Sequence, residues 1–211
     1  MVGSAMPPMK VNLDITSQVI VTLVSALIAG GALFLAWRQA RERQLRKDDV
    51  LKWSLEAIRS LQTLYLLCFL GEPAFDKATI RKLLAQIVVD TSVLVEQGRL
   101  FFRNTPHESY GKDRHPAYRG YRPVLLDPIV VSHQIACQWE GATEDERIRM
   151  TLVAEDCVKR FVSLAQLEVG RSITAHEDAG KKGEGEKLET LLGKLGEERL
   201  AALRANARLS L

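Results

Sequence analysis

Between Arg99 and Arg122 the chain places Arg99, Arg103, Lys112, Arg114, Arg119 and Arg122 against only two acids, Glu108 and Asp113. Phe101, Phe102, Tyr110, Tyr118 and Tyr121 are interleaved with them. A guanidinium presents a planar fork that fits phosphate or carboxylate in bidentate fashion, and it stacks on aromatic faces. With the amide of Asn104 as a neutral donor, the set Arg99, Phe101, Phe102, Arg103, Asn104, Tyr118, Arg119, Tyr121 and Arg122 is a surface for an anionic ligand or an acidic protein partner. The competing reading is structural. In it the aromatics close one end of a helical bundle while the arginines pair with helix acids such as Glu96, Asp127 and Glu140. Single-stranded nucleic acid needs a longer stacking platform and a broader basic surface, so nucleic acid is not an expected partner.

Other chemistry is thinner. His133 and Cys137 stand i, i+4 and would share a helix face, with His107 or His115 as a third ligand, but zinc sites want a second closely spaced pair and none occurs. Asp127, Ser132 and His133 lack the strand and elbow that present a hydrolytic serine. GKKGEGEK lacks the spacing of a phosphate-binding loop. No catalytic residue, metal or cofactor is therefore expected. An enzyme built on the basic segment would have only His107, Glu108 and His115 as local acids or bases.

Such a segment must be held by something. Ile15 to Trp37 carries no ionisable side chain, and 23 residues of helix rise about 34 Å, enough to cross a hydrocarbon core of about 30 Å. Arg38, Arg41, Arg43, Arg46 and Lys47 follow, opposed only by Glu42, whereas Lys10 and Asp14 cancel before the run. Basic residues are retained on the cytoplasmic side. The expected topology is a single pass through the cell inner membrane, residues 1–14 outside and the remainder cytoplasmic. Trp37 would sit at the interface, with Arg38, Arg41, Arg43, Arg46 and Lys47 on lipid headgroups. The bilayer is thus an expected partner. Ala26 with Gly30, or Ala32 with Ala36, gives small-x3-small faces that permit homo-oligomers through the membrane helix.

From Arg38 no breaker occurs before Gly71, so the helix should continue, its last stretch LQTLYLLCFL buried all round. Asp76 caps a second helix to about Gln97, with Gly98 as its terminating glycine. A third starts near Pro123 and a fourth opens on the capping box at Thr143 and runs to about Thr174. The fold class is all-α: a transmembrane helix leading into a cytosolic bundle of about four helices, residues 38–175, with one long irregular loop. The aromatic content of the loop predicts that it folds back and packs. Residues 176–187 read as a flexible linker. Residues 188–211 read as a marginal amphipathic helix, weakened by Gly193 and Gly196, that docks on its own domain or on a partner. Three widely spaced cysteines, Cys68, Cys137 and Cys157, read as buried thiols of a reducing compartment.

The WRQARERQ exit, the WSLEAIRSLQ helix, EQGRLFFRN and AYRGYRPVLLDP together resemble uncharacterised single-pass membrane proteins of bacteria, over residues 15 to about 170. The resemblance brings no catalytic residue and no substrate. The expected function is a membrane-tethered, non-enzymatic module that presents a cytosolic regulatory or interaction surface. The alternatives are a membrane-active effector of a defence or toxin system, and an enzyme acting on a phosphorylated substrate.

Overall fold

A computed structural model describes residues 11–107, 110–170 and 185–209. They form six α-helices and, among the described residues, no strand: α1 (Val11–Ala74), α2 (Lys77–Phe101), α3 (Asp127–Gln138), α4 (Glu144–Glu168), α5 (Leu188–Lys194) and α6 (Glu197–Leu209). The fold is all-α, as the helical periodicities require. The chain divides into two compact units, Met1–Arg46 and Lys47–Leu211. Residues 1–10 of the leader and 176–184 of the linker lie outside the described residues.

In the first unit every side chain from Ile20 to Arg46 is exposed. This stretch belongs to a helix long and apolar enough to cross a membrane, with mean hydropathy 2.2 and none of its apolar run buried. The core helix of a water-soluble domain passes the same test of length and composition, but it buries such a face.

In the second unit α1 turns Val50, Trp53, Ala57, Leu61, Leu64, Leu67 and Cys68 inward. That three-and-four spacing is the stripe a helix needs to bury one face. Gly71, at φ 55° and ψ −152°, breaks the helical path just before Pro73, and only glycine takes such a conformation cheaply. The end of α1 differs from expectation. Leu66, Phe69 and Leu70 are exposed, because the packed neighbours cover only the side that carries Leu61, Leu64 and Leu67.

Asp76 caps α2 as its position predicts: Thr79 donates to it from the backbone (3.0 Å) and from its hydroxyl (2.6 Å). The far end is a correction. Gly98 does not end the helix, which continues to Phe101 with Gly98 buried inside it. A Cβ there would come 2.5 Å from Leu126 Cδ2 and 2.9 Å from Trp53 Cζ2, so this glycine serves close packing. A single 3-10 turn, Val124–Leu126, precedes α3, which starts later than Pro123 and holds Pro128 in its first turn, where the missing N–H costs nothing. Ile129, Val131 and Ile135 of α3 are fully buried between α2 and α4. The capping box of α4 forms in both directions between Thr143 and Glu146. That helix stops at Glu168, short of Thr174, with Gly170 in the left-handed region after it.

The C-terminal residues belong to the bundle. Gly196 separates α5 from α6, and both pack on α4 through the fully buried Leu188 and Leu200. Arg199 grips Asp156 with both terminal nitrogens (2.7 and 2.9 Å), and Arg204 pairs with Asp145. Cys68 and Cys157 are buried, and burial pushes the Cys157 thiol up to about 12. Cys137 is exposed, against expectation, because it lies on the side of α3 turned away from Ile135 and Ala136.

Candidate functional site

The basic segment starts on a helix. Arg99 and Phe101 lie in the last turn of α2 and Phe102 is its C-cap. Both phenylalanines pack around Trp53, with ring centroids 6.2 and 5.7 Å away. The indole N–H of Trp53 donates to the Leu94 carbonyl at 2.9 Å, which fixes the platform.

Beyond Phe102 the loop is folded. Thr105 and Tyr121 exchange two backbone hydrogen bonds, 2.8 and 2.9 Å, and bring its two ends together. Tyr110 stacks on Tyr121 at 4.4 Å, His107 meets Tyr121 edge-on at 4.9 Å, and Arg114 lies over Tyr110 at 5.5 Å. The expectation that the aromatics make this segment pack thus holds. Gly120 is the pivot: its φ is 81°, its N–H donates to the Tyr110 carbonyl at 3.2 Å, and a Cβ would meet the Thr105 oxygen at 2.2 Å. Gly120→Ala therefore meets both an unfavourable φ and a backbone clash. We expect a loss of at least about 1–3 kcal/mol, read as a lower urea midpoint with increased proteolysis between residues 102 and 122. An unchanged midpoint and digestion pattern would contradict this account of the loop.

The arginines divide into two groups. Arg122 points inward. Its Nε donates to the buried Asp127 carboxylate, and its Nη2 donates to the Glu186 carbonyl at 2.6 Å. Glu186 also takes the Arg160 guanidinium, so these four side chains join α3 and α4 to the chain entering α5. Burial pushes the Asp127 carboxyl above the usual carboxylate range, and the Arg122 guanidinium pulls it part of the way back. Arg122 is consequently not available to an external anion.

The second group lines an open groove of about 570 Å³ bordered by Arg99, Phe102, Arg103, Asn104, His107 and Arg119. Arg99 lies 4.5 Å over the Tyr118 ring and 3.5 Å from Glu96, and Tyr118 donates its hydroxyl to Glu96 at 3.0 Å. The Asn104 amide donates to the Arg119 carbonyl (3.1 Å) and its oxygen faces Arg99 Nη1 (3.4 Å). Among the described residues Arg119 donates from Nε to the Arg114 carbonyl at 3.3 Å. Arg103 is exposed at the rim. Arg99, Arg103, Asn104 and Arg119 are thus brought together with Phe101 and Phe102, whose rings also pack on Trp53, whereas Tyr121 stacks inside the loop and Arg122 is turned toward Asp127.

His133 and Cys137 share a helix face as their spacing predicts, but His107 does not join them. His133 Nε2 lies 3.6 Å from Cys137 Sγ while Nδ1 faces the Thr91 hydroxyl at 3.1 Å. Nδ1 of His107 instead accepts the Tyr110 N–H. No group of three metal-ligating side chains forms among the described residues. Of the basic cluster after the apolar helix, Arg38 pairs with Glu42 at 3.0 Å and Arg41 covers the Trp37 ring at 5.5 Å, while Arg43 is exposed. The amine of Lys47 lies over Gly170, at the C-terminal end of α4 where a cation is favoured.

The sequence offers Asp127 as a helix acid for a loop arginine, and Arg122 takes it; what sequence reasoning missed is that the pair is buried and joined by Arg160 and Glu186, because Glu186 lies 64 residues along the chain from Arg122. The chain matches no family model, no curated protein and no solved structure. The groove offers forked cations and a neutral amide, and among the described residues its lining holds no thiol, carboxylate or hydroxyl nucleophile.

Proposed function

We propose that the chain is a membrane-tethered, non-enzymatic module. Its helical unit sits at the cytoplasmic face of the membrane and offers the groove of Arg99, Arg103, Asn104 and Arg119 to an anionic ligand or an acidic partner segment. The observation that carries this reading is the apolar helix whose side chains from Ile20 to Arg46 are all exposed. Apolar surface on that scale asks for lipid or protein cover, and an uninterrupted charge-free run is what a bilayer accepts.

The direction of insertion follows from Arg38, Arg41, Arg43, Arg46 and Lys47, which favour the cytoplasmic side. The reading draws support from the groove lining, which among the described residues supplies donors for an anion. In cells, a fluorescent reporter fused after Leu211 should be bright and resist extraction from membranes by alkaline carbonate, and a secreted-type phosphatase at the same point should be inactive. An active phosphatase would reverse the topology and remove the cytoplasmic surface from the proposal.

A further inference from the structure

We infer that the anion taken by this groove is the phosphate of acidic phospholipids, so that the loop end of the Lys47–Leu211 unit lies on the headgroups of the bilayer. The inference rests on the tether proposed above and names the ligand of that same groove.

Position is set inside the unit. The chain enters it at Lys47, and Val50 and Trp53 are the first side chains it buries. Phe101 and Phe102, which line the groove, pack on the same Trp53 ring. The groove therefore stands at the end where α1 comes in, whereas Gly71, where the helical path of α1 breaks, lies about 36 Å further along that helix. From Trp37 to Lys47 the chain takes ten residue steps, which extend at most about 36 Å. A chain held through its apolar run thus keeps the groove end of this unit on the shorter leash to the bilayer.

The composition of that end fits a headgroup layer. Leu100, in the last turn of α2, is 82% exposed and borders the groove between Arg99 and Arg103. On the loop that follows, Arg103, Lys112, Arg114 and Arg119 are exposed, and the sequence sets only Glu108 and Asp113 against them. Asp48 and Asp49, where α1 enters, are offset by Lys47 and Lys52. Glu96 is already taken up by Arg99 and the Tyr118 hydroxyl. The guanidiniums of Arg99, Arg103 and Arg119 present forks that match phosphate oxygens. A small soluble ligand is normally enclosed over most of its surface, but this groove is open and has a bare leucine on its border. Cations beside an exposed apolar side chain suit the boundary between headgroups and acyl chains, where the leucine enters and the guanidiniums stay with the phosphates. The negative potential of an acidic leaflet draws such cations to it.

The test uses the full chain in lipid nanodiscs, made of phosphatidylcholine alone or of equal parts phosphatidylcholine and phosphatidylglycerol. The exposed Cys137 is replaced by serine, and the buried Cys68 and Cys157 are retained. A nitrobenzoxadiazole dye is placed on Leu100→Cys or on Val89→Cys, an exposed position about 16 Å back along α2. Relative to the dye at Val89→Cys, dithionite should quench the dye at Leu100→Cys at least about fivefold more slowly in the acidic discs than in the neutral ones. Equal relative rates in the two lipids overturn the inference. Arg103→Glu should cut that protection at least about twofold, and protection that is unchanged also overturns it. A melting point raised by inorganic phosphate in neutral discs, without protection in acidic ones, assigns the groove to a soluble anion and overturns the lipid. Elution separates the two readings. Chains that do not co-elute with discs refute the tether and this inference with it, whereas chains retained in the discs but unprotected at Leu100→Cys refute the headgroup contact alone.

Discussion

Arg122→Ala should destabilise the Lys47–Leu211 unit by about 3–5 kcal/mol, the cost of stranding one member of a buried ion pair. Its partner Asp127 has a side chain only 2% exposed, and Arg122 itself is 19% exposed. Removing the guanidinium leaves a buried carboxylate with only the more distant Arg160 as counter-charge, and it also releases the Glu186 carbonyl that ties the approach to α5. Replacing Arg122 and Asp127 together with leucine should cost much less, because a buried pair exchanged for apolar side chains of similar size is often neutral. Urea midpoints of the single and double variants make the comparison. A double variant as weak as Arg122→Ala would mean that the loss arises from packing and not from the stranded charge.

The same pair fixes a pH dependence. Burial already holds the Asp127 carboxyl above its usual range against the pull of Arg122, and without Arg122 it rises further. A carboxyl raised on folding gives stability that is complete below its unfolded value of about 3.9 and is lost as pH climbs through the folded value. The deficit of Arg122→Ala relative to the parent should therefore be largest near neutral pH and shrink as the solution is acidified toward about pH 4. Denaturation at about pH 7.5 and about pH 5 reads it, and a deficit that grows on acidification contradicts the stranded carboxylate.

Local signals carried most of the helical architecture. Asp76 and Thr143 cap helices through atoms three residues away, so their pattern is complete in the sequence. Which face of α1 turns inward is not local: spacing groups Leu45, Leu51, Leu55, Ile58, Leu61 and Tyr65, but the packed helices bury Val50, Trp53, Ala57, Leu61 and Leu64 and leave Leu45, Leu51 and Leu55 exposed. What failed depended on distant partners. Gly98 has the composition of a helix stop, and only Trp53 and Leu126 reveal it as a packing contact. Gly193 sits inside α5, where burial of Leu188 on α4 outweighs a penalty of about 1 kcal/mol, whereas at Gly196 the helix does break and α6, docked by Leu200, starts anew. The basic loop shows the same division. Its aromatic content foretold that it packs, but Arg122 and Arg119 look alike as letters. The first is claimed by Asp127 five residues on and by Glu186 far along the chain, and the second lines the groove.

Leu23→Arg combined with Leu27→Arg should remove the chain from the membrane fraction. The two positions lie one turn apart near the middle of the charge-free run from Ile15 to Trp37. Each arginine at the centre of an inserting helix costs about 2.5–3.5 kcal/mol on the insertion scale, so the pair costs about 5–7 kcal/mol. That is enough to reverse a partition decided by Leu, Ile and Val at about −0.3 to −0.6 kcal/mol each near the centre. Snorkelling relieves one charge close to an interface but not two at mid-depth. A water-exposed helix predicts something else. Leu23 is already exposed, as is Leu27, so two arginines there would leave both solubility and fractionation unchanged. The discriminating measurement is the carbonate-resistant fraction of the double variant beside that of Leu55→Glu, which carries its new charge outside the run. The first should fall by at least tenfold while the second stays at the level of the parent. If both remain in the pellet, the apolar helix is held by a protein and not by lipid, and the tether is a protein contact.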